Sequence, residues 1–285
     1  VMFNRIKNLL VGIRNMRKHA KLVRDLMLDT YLQNHLFGNP KYADVSRYLN
    51  TFEFSVFSQN GEDGTLEEIF NRIGVTNKFF VEIGVQDGNE CNSSFLFVKG
   101  WEGLWIEADP KMLPNIKKHF SAMIDQGRLT VVSEFASPDN IETLLAHSSV
   151  PTEPDLLSID IDGNDYWVWQ RIEKSKPRVL VIEYNSAIPP THEWIMDFNP
   201  SHRFDLTTHF GASLKSLQQL GDRKGYSLVG CDFTGTNAFF VRSDLVGDRF
   251  VGPFTSENYY EPSRYFLASR HFGHKPKFGP YVTDN

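Results

Sequence analysis

Seven short apolar runs, at 79–84, 103–107, 129–133, 155–161, 178–184, 226–231 and 237–242, constrain this chain more than any other feature. Helical patterning lies between most of them, at 64–73, 110–120, 138–147, 164–173 and 212–222. Parallel strands must be joined by a crossover long enough to hold a helix. Strands that read as continuous apolar runs are covered on both faces. The alternation therefore predicts an α/β fold, a parallel sheet with helices on both sides. The last two runs depart from it. They meet across the short segment CDFTGTN, of which only residues 232–236 lie between the runs, too little for a crossover, so they are expected to pair antiparallel. The predicted topology is five parallel strands followed by an antiparallel terminal pair.

The composition narrows the class. A net charge of -5 gives no reason to expect a nucleic-acid partner. Cys91 and Cys231 are the only cysteines, so neither a disulfide framework nor a four-cysteine zinc site is available, and a reducing, cytoplasmic compartment is the simplest reading. No apolar run is long enough to span a bilayer. Residues 3–28 read as one amphipathic helix. Ile6, Ile13, Ala20 and Met27 share one heptad position and Leu9, Met16 and Val23 another, with Arg5, Lys7, Arg14, Arg17, Lys18, Lys21 and Arg24 on the remaining faces. Such a helix suits docking on its own domain, a homo-oligomer seam, or peripheral contact with an anionic membrane surface. The expected organisation is a basic helix over 1–37, a catalytic domain over 38–254 and an aromatic-rich extension over 255–285.

The first strand of the alternation runs into Glu82-Ile83-Gly84-Val85-Gln86-Asp87-Gly88. A dinucleotide fold would show G-x-G-x-x-G there, and this turn does not. An acid before the first glycine, with wider glycine spacing, suits a cofactor that has no pyrophosphate. The glycines admit a ligand against the backbone, and the acid can receive an amine. The second strand ends at Glu107, placed to accept hydrogen bonds from two ribose hydroxyls. Together these features indicate a nucleoside cofactor. Taken singly, an acid ending a strand is more often a helix cap.

At this point the chain resembles a known family. SQNGEDG (58–64), VEIGVQDG (81–88), LWIEADP (104–110), LLSIDIDGNDYWVW (156–169) and VLVIEYN (179–185) occur in that order. They look like the FkbM-type methyltransferases, a branch of the class I S-adenosylmethionine (SAM)-dependent enzymes, over about residues 55–243. The resemblance implies a Rossmann-like seven-stranded sheet with a reversed last strand. It implies that Glu82, Gly84 and Gly88 line the methionine part of SAM and that Glu107 holds the ribose. Gln59, Asp87, Asp109 and Asp160 join the expected cofactor-binding set. It further implies O-methylation of a sugar, glycan or similar hydroxylated small molecule. Where many relatives carry Val-Glu-Gly, this chain has Ile161-Asp162-Gly163.

A sugar hydroxyl is a poor nucleophile, so its proton must be removed or its developing negative charge stabilised. Asp160 and Asp162 end the fourth strand, and Glu183 and Asn185 the fifth, each pair at a spacing that puts both side chains on one face. Three readings stand side by side. Asp160 contacts the SAM amine, Asp162 or Asp165 caps the next helix, and Glu183 is a general base. Alternatively, Asp160, Glu183 and Asp162 or Asn185 bind Mg²⁺ or Mn²⁺. Lastly, all are caps and solvated strand ends. His192 and His209, in the long connection after the fifth strand, are further candidate bases, and that connection has the length of a lid or substrate clamp. Tyr184, Trp167, Trp169 and Trp194 offer faces for a sugar. In the tail, Tyr259, Tyr260, Tyr265, His271 and His274 either reach the acceptor or wrap the domain. Two other classes stay open: a nicotinamide-dependent oxidoreductase on a doubly wound sheet, and a non-catalytic module that kept the fold.

Overall fold

The computed structural model describes residues 2–267, 274–277 and 279–283, and of residues 2–13 the backbone alone. The side chains of Arg5, Ile6, Lys7, Leu9 and Ile13, and residue His271, therefore lie outside the described residues. The chain forms two compact units, Val1–Asp44 and Val45–Asn285.

The first unit is the helix α1 (Met2–Leu32), which extends at both ends beyond the amphipathic pattern, followed by a π-turn at Gln33–Phe37 and a 3-10 turn at Pro40–Ala43. The side chain of Asn39 caps that second turn by accepting the Lys41 N–H at 3.0 Å. Met16, Val23, Leu26 and Met27 are exposed. Among the described residues no helix is long and apolar enough to cross a membrane.

The second unit alternates as the apolar runs require. After α2 (Glu62–Ile73) come β1 (Phe79–Ile83), α3 (Ser94–Val98), β2 (Glu102–Glu107), α4 (Leu113–Asp125), β3 (Leu129–Ser133), α5 (Ile141–His147), β4 (Leu156–Ile159), α6 (Asp165–Arg171) and β5 (Val179–Glu183). There follow β6 (Ile195–Met196), α7 (Leu214–Lys224), β7 (Tyr226–Cys231), β8 (Asn237–Arg242), α8 (Ser243–Val246), α9 (Ser256–Tyr259) and β9 (Tyr281–Val282). Seven strands form one sheet in the order β3-β2-β1-β4-β5-β8-β7. β1 to β5 are parallel, and β8 runs antiparallel to both β5 and β7. This is the Rossmann-like seven-stranded sheet expected of a class I methyltransferase fold, with the last of its strands, β8, inserted between β5 and β7 and reversed. Because strand side chains alternate between faces, Val81 and Ile83 pack on one side with Leu157, Leu180, Tyr166 and Trp169. Phe80 packs on the other with Trp105, Val181, Leu66 and Ile116. Full burial of each such side chain is worth about 1.5–3 kcal/mol.

The two edges of the sheet differ in their polar groups. At the N-terminal edge, Asp155 is fully buried. It accepts the N–H groups of Thr76, Asn77 and Lys78 and pairs with Arg178 at 2.6 Å. At the C-terminal edge, β2 and β5 end in Glu107 and Glu183, β1 and β4 run directly into Gly84 and Asp160, and the long connection after β5 is folded back over them. Ile195 bridges to Ala212, and β6 pairs antiparallel with β9.

Candidate functional site

Two cavities open along the C-terminal edge, of about 530 and 470 Å³, and share Gly84, Gln86, Met112 and Asp160 in their walls. They flank the turn after β1 on its two sides. The first reaches toward the ends of β2 and β3, where Glu107, Asp109, Glu134 and Phe135 line it. The second reaches toward α2 and β8, where Gln59, Asn60, Glu62, Asp87 and Asn237 line it together with Glu82.

Gly84 lies at the meeting point with φ +86°. A Cβ there would sit 1.6 Å from the carbonyl oxygen of Asp160. Its need for glycine therefore comes first from the close approach of the β1 and β4 ends, not from a ligand. Gly88 departs from the expectation that it lines the cofactor: it borders neither cavity. Its φ is +84° and a Cβ would lie 2.7 Å from the rings of Trp105 and Phe120, so it serves packing between α4 and β2.

Glu82 is buried, and its carboxylate accepts the N–H groups of Asn92 and Ser93 at 2.8 and 2.9 Å and the Ser93 hydroxyl. Burial outweighs these bonds and pushes its pKa up to about 7. Glu82 thus fixes the segment leading into α3 while showing a face to the second cavity. Glu107 is also buried, and its two oxygens accept one backbone N–H each, from Gln86 at 2.6 Å and from Asp109 at 2.7 Å. Each oxygen keeps a further lone pair.

Beside the shared wall the three acids predicted at the ends of β4 and β5 come together; Asp160 lines both cavities, Asp162 the first and Glu183 neither. One oxygen each from Asp160, Asp162 and Glu183 lies within 4.8 Å of the others. Burial raises the pKa of Asp160 and Glu183 well above the usual carboxylate range, and neighbouring carboxylates add to it, first Asp162 and Asp165 at Asp160, and first Asp160 and Asp165 at Glu183. Asp162 adopts φ +59°, a conformation uncommon outside glycine. Asp165, not Asp162, caps the turn into α6: it accepts the N–H groups of Ile161 and Gly163, both at 2.8 Å. Burial pushes its pKa up to about 6.

Asn185 does not join the acids. Its amide donates to the carbonyls of Thr208 and Phe210 and its oxygen accepts the Ala187 N–H, so it fastens the long connection instead of offering a metal ligand. His209 is also elsewhere. Its ring packs against Trp194 and its Nε2 contacts the Pro280 carbonyl at 3.0 Å. His192 is exposed beside Thr191. The histidine at the site is His202, which sequence reasoning passed over. It lines the first cavity, and its Nε2 lies 2.9 Å from the Asp162 carbonyl oxygen. With a carbonyl as partner, Nε2 donates, which leaves Nδ1 of the neutral ring as an acceptor. Burial lowers its pKa. Nothing distinguishes His202 from its two neighbours in sequence except the fold.

The aromatic candidates divide. Tyr184 and Trp169 are core residues, and the Tyr184 hydroxyl donates to the Glu261 carbonyl at 2.6 Å. Trp167 donates to the Met196 carbonyl, and Trp194 stacks on Tyr281. In the tail, Tyr260 donates to the Ser186 carbonyl, Tyr265 meets the Ser186 hydroxyl, and His274 packs with Phe204, Phe210 and Tyr265. The tail therefore holds the connection after β5 from outside.

The sequence matches no protein-family model and no curated protein. Solved structures similar to it include cofactor-bound Rv0187 from MTB, 17% identical over 75% of this chain and 95% of that one, with a TM-score of 0.44. An O-methyltransferase family protein from Burkholderia thailandensis is 11% identical over 64% of this chain and 57% of that one, with a TM-score of 0.39. These are likenesses of fold.

Proposed function

We propose that this chain is a SAM-dependent O-methyltransferase whose acceptor is a hydroxyl of a sugar, a glycan or a similar polyhydroxylated small molecule. The observation that carries this reading is the pair of cavities meeting at Gly84 and Asp160, with a buried strand-end carboxylate in the first and a carboxylate cluster at their junction. The donor set fits the cofactor. Glu107 can accept both ribose hydroxyls with its remaining lone pairs, between the walls made by Met112 and Phe135. Gln59 and Asp87 offer polar groups to an amino acid portion in the second cavity. When bound, SAM supplies an electrophilic methyl group on a sulfonium. The chain's own task is to prepare the acceptor oxygen, and the three acids at the junction supply the negative charge that this needs. The order of the sequence motifs, similar to FkbM-type enzymes, supports the same reading and the hydroxylated acceptor class.

Calorimetric titration with S-adenosylhomocysteine (SAH) and with NADH tests the cofactor, followed by transfer of labelled methyl from SAM to a panel of sugars. SAH binding without NADH binding is expected. Binding of NADH and not SAH would replace this reading with an oxidoreductase.

A further inference from the structure

We infer that Asp160, Asp162 and Glu183, with Asn237 as a fourth donor, form a binding site for one hard divalent cation of the Mg²⁺ or Mn²⁺ type. The three carboxylates come from two neighbouring strand ends and present oxygens within 4.8 Å of one another. Acids alone would not make a site, because such clusters are often simply solvated. Here two oxygens of the cluster's surroundings are buried and have no hydrogen-bond partner: Oε2 of Glu183 and Oδ1 of Asn237.

Asn237 is the independent observation. It belongs to β8, far away in sequence, and is only 3% exposed. The antiparallel register sets it directly opposite Glu183, which places both side chains on one face of the sheet. Its Nδ2 is already used, donating to Oε1 of Glu62 at 2.7 Å. The other edge of the amide, Oδ1, is left unpaired in the wall of the cavity that Asp160 also lines. A buried acceptor without a donor is costly, and two beside three acids ask for a positive charge. His202, in the wall of the first cavity, is the one histidine among the described residues lining the two cavities, and burial lowers its pKa. Among the described residues lining the two cavities, Arg203 is the sole lysine or arginine, and its guanidinium lies over the Phe135 ring at 5.5 Å.

All four donors are oxygens, which selects a hard cation over zinc or copper. Mg²⁺ and Mn²⁺ commonly take about six ligands, so four from the chain leave about two positions open. On the proposed function, those positions would be filled by two neighbouring oxygens of the acceptor, and the cation would acidify the one to be methylated. Only this role rests on that function; the binding does not.

The test is a titration of the full chain with Mn²⁺, followed by electron paramagnetic resonance of the free ion, with Mg²⁺ as competitor. The wild-type chain should bind one Mn²⁺, displaced by Mg²⁺. The isosteric variants Asp162→Asn and Glu183→Gln should each weaken it at least tenfold, with circular dichroism unchanged. No Mn²⁺ binding by the wild-type chain, or equal binding by both folded variants, would overturn the inference. A separate SAH titration of the wild-type chain keeps the two readings apart: Mn²⁺ binding without SAH binding would remove the methyltransferase reading and leave the cation site standing.

Discussion

Replacing Glu107 by glutamine is the sharpest probe of the proposed cofactor cavity, because the geometry fixes what would be lost. The carboxylate is buried and each oxygen already accepts one backbone N–H, from Gln86 and from Asp109. In Glu107→Gln one oxygen becomes an NH₂ group that faces a donor. One turn bond is broken and one ribose hydroxyl loses its acceptor, while the other oxygen survives as a neutral carbonyl. The loss of one charge-assisted bond and the weakening of another correspond to about 2 kcal/mol, or about a 30-fold weaker SAH complex. The unpaired backbone donor should also lower the stability of the free protein by about 1–3 kcal/mol. Calorimetry with SAH should therefore be run beside a thermal scan, at a temperature where the variant is fully folded. A folded variant that binds SAH within twofold of the wild-type chain would refute the assignment of Glu107 to the cofactor.

The acids at the C-terminal edge also make stability depend on pH. Glu82 keeps its proton up to about pH 7 when folded, against an ordinary value of 4.5 for an exposed glutamate. Between those values the folded chain binds more protons than the unfolded one, so stability falls as pH rises, by about 3 kcal/mol for this group. Asp165, pushed up to about 6, acts in the same direction, and His202, with its lowered pKa, opposes them. The thermal midpoint without ligand should drop between pH 5 and pH 8; a flat or rising midpoint would contradict the burial assigned to Glu82. His202→Ala should change SAH affinity or turnover because His202 lines the first cavity, while His209→Ala should leave SAH affinity unchanged; the reverse pattern in calorimetry would move the site. Deleting residues 1–37 should leave SAH binding intact and alter either light scattering or sedimentation with anionic vesicles. If neither changes, α1 is neither an oligomer seam nor a membrane contact.

The sheet was legible because its strands are continuous apolar runs and because the five residues between β7 and β8 cannot carry a crossover, which makes the reversal of β8 a matter of chain length. Glu107 was legible for a similar reason, as an acid at the end of a strand whose position in the alternation is clear. Asn185 and Asn237 show where this kind of reading stops. Asn185 lies two residues after Glu183, and the spacing rule puts it on the same face only if the strand continues. β5 ends at Glu183, and the chain then turns so that the Asn185 amide binds the Thr208 and Phe210 carbonyls. Asn237 takes the place beside Glu183 through sheet register, which no local pattern encodes. The same holds for His202, one of three histidines in one loop, and for Gly88, whose partners Trp105 and Phe120 come from other elements.

β4 and β5 carry the argument about the site in their own ends. One residue before their paired stretch stand Asp155 and Arg178, and one residue after it stand Asp160 and Glu183. The register is the same at both ends, and the charges are not. At the N-terminal edge the opposite charges pair at 2.6 Å, and the remaining acceptors of Asp155 are filled by backbone N–H groups. At the C-terminal edge two like charges meet, with Asp162 beside them and a Glu183 oxygen left without a donor. Like charges on neighbouring strands destabilise the pair, and the charge of Asp160 raises the pKa of Glu183. Folding alone would be better served by the solution used at the other edge. Departures from local consistency of this kind are expected at functional or strained sites, and the departure here has a sign: it would be relieved by a cation or by a proton taken from an acceptor hydroxyl, as proposed above.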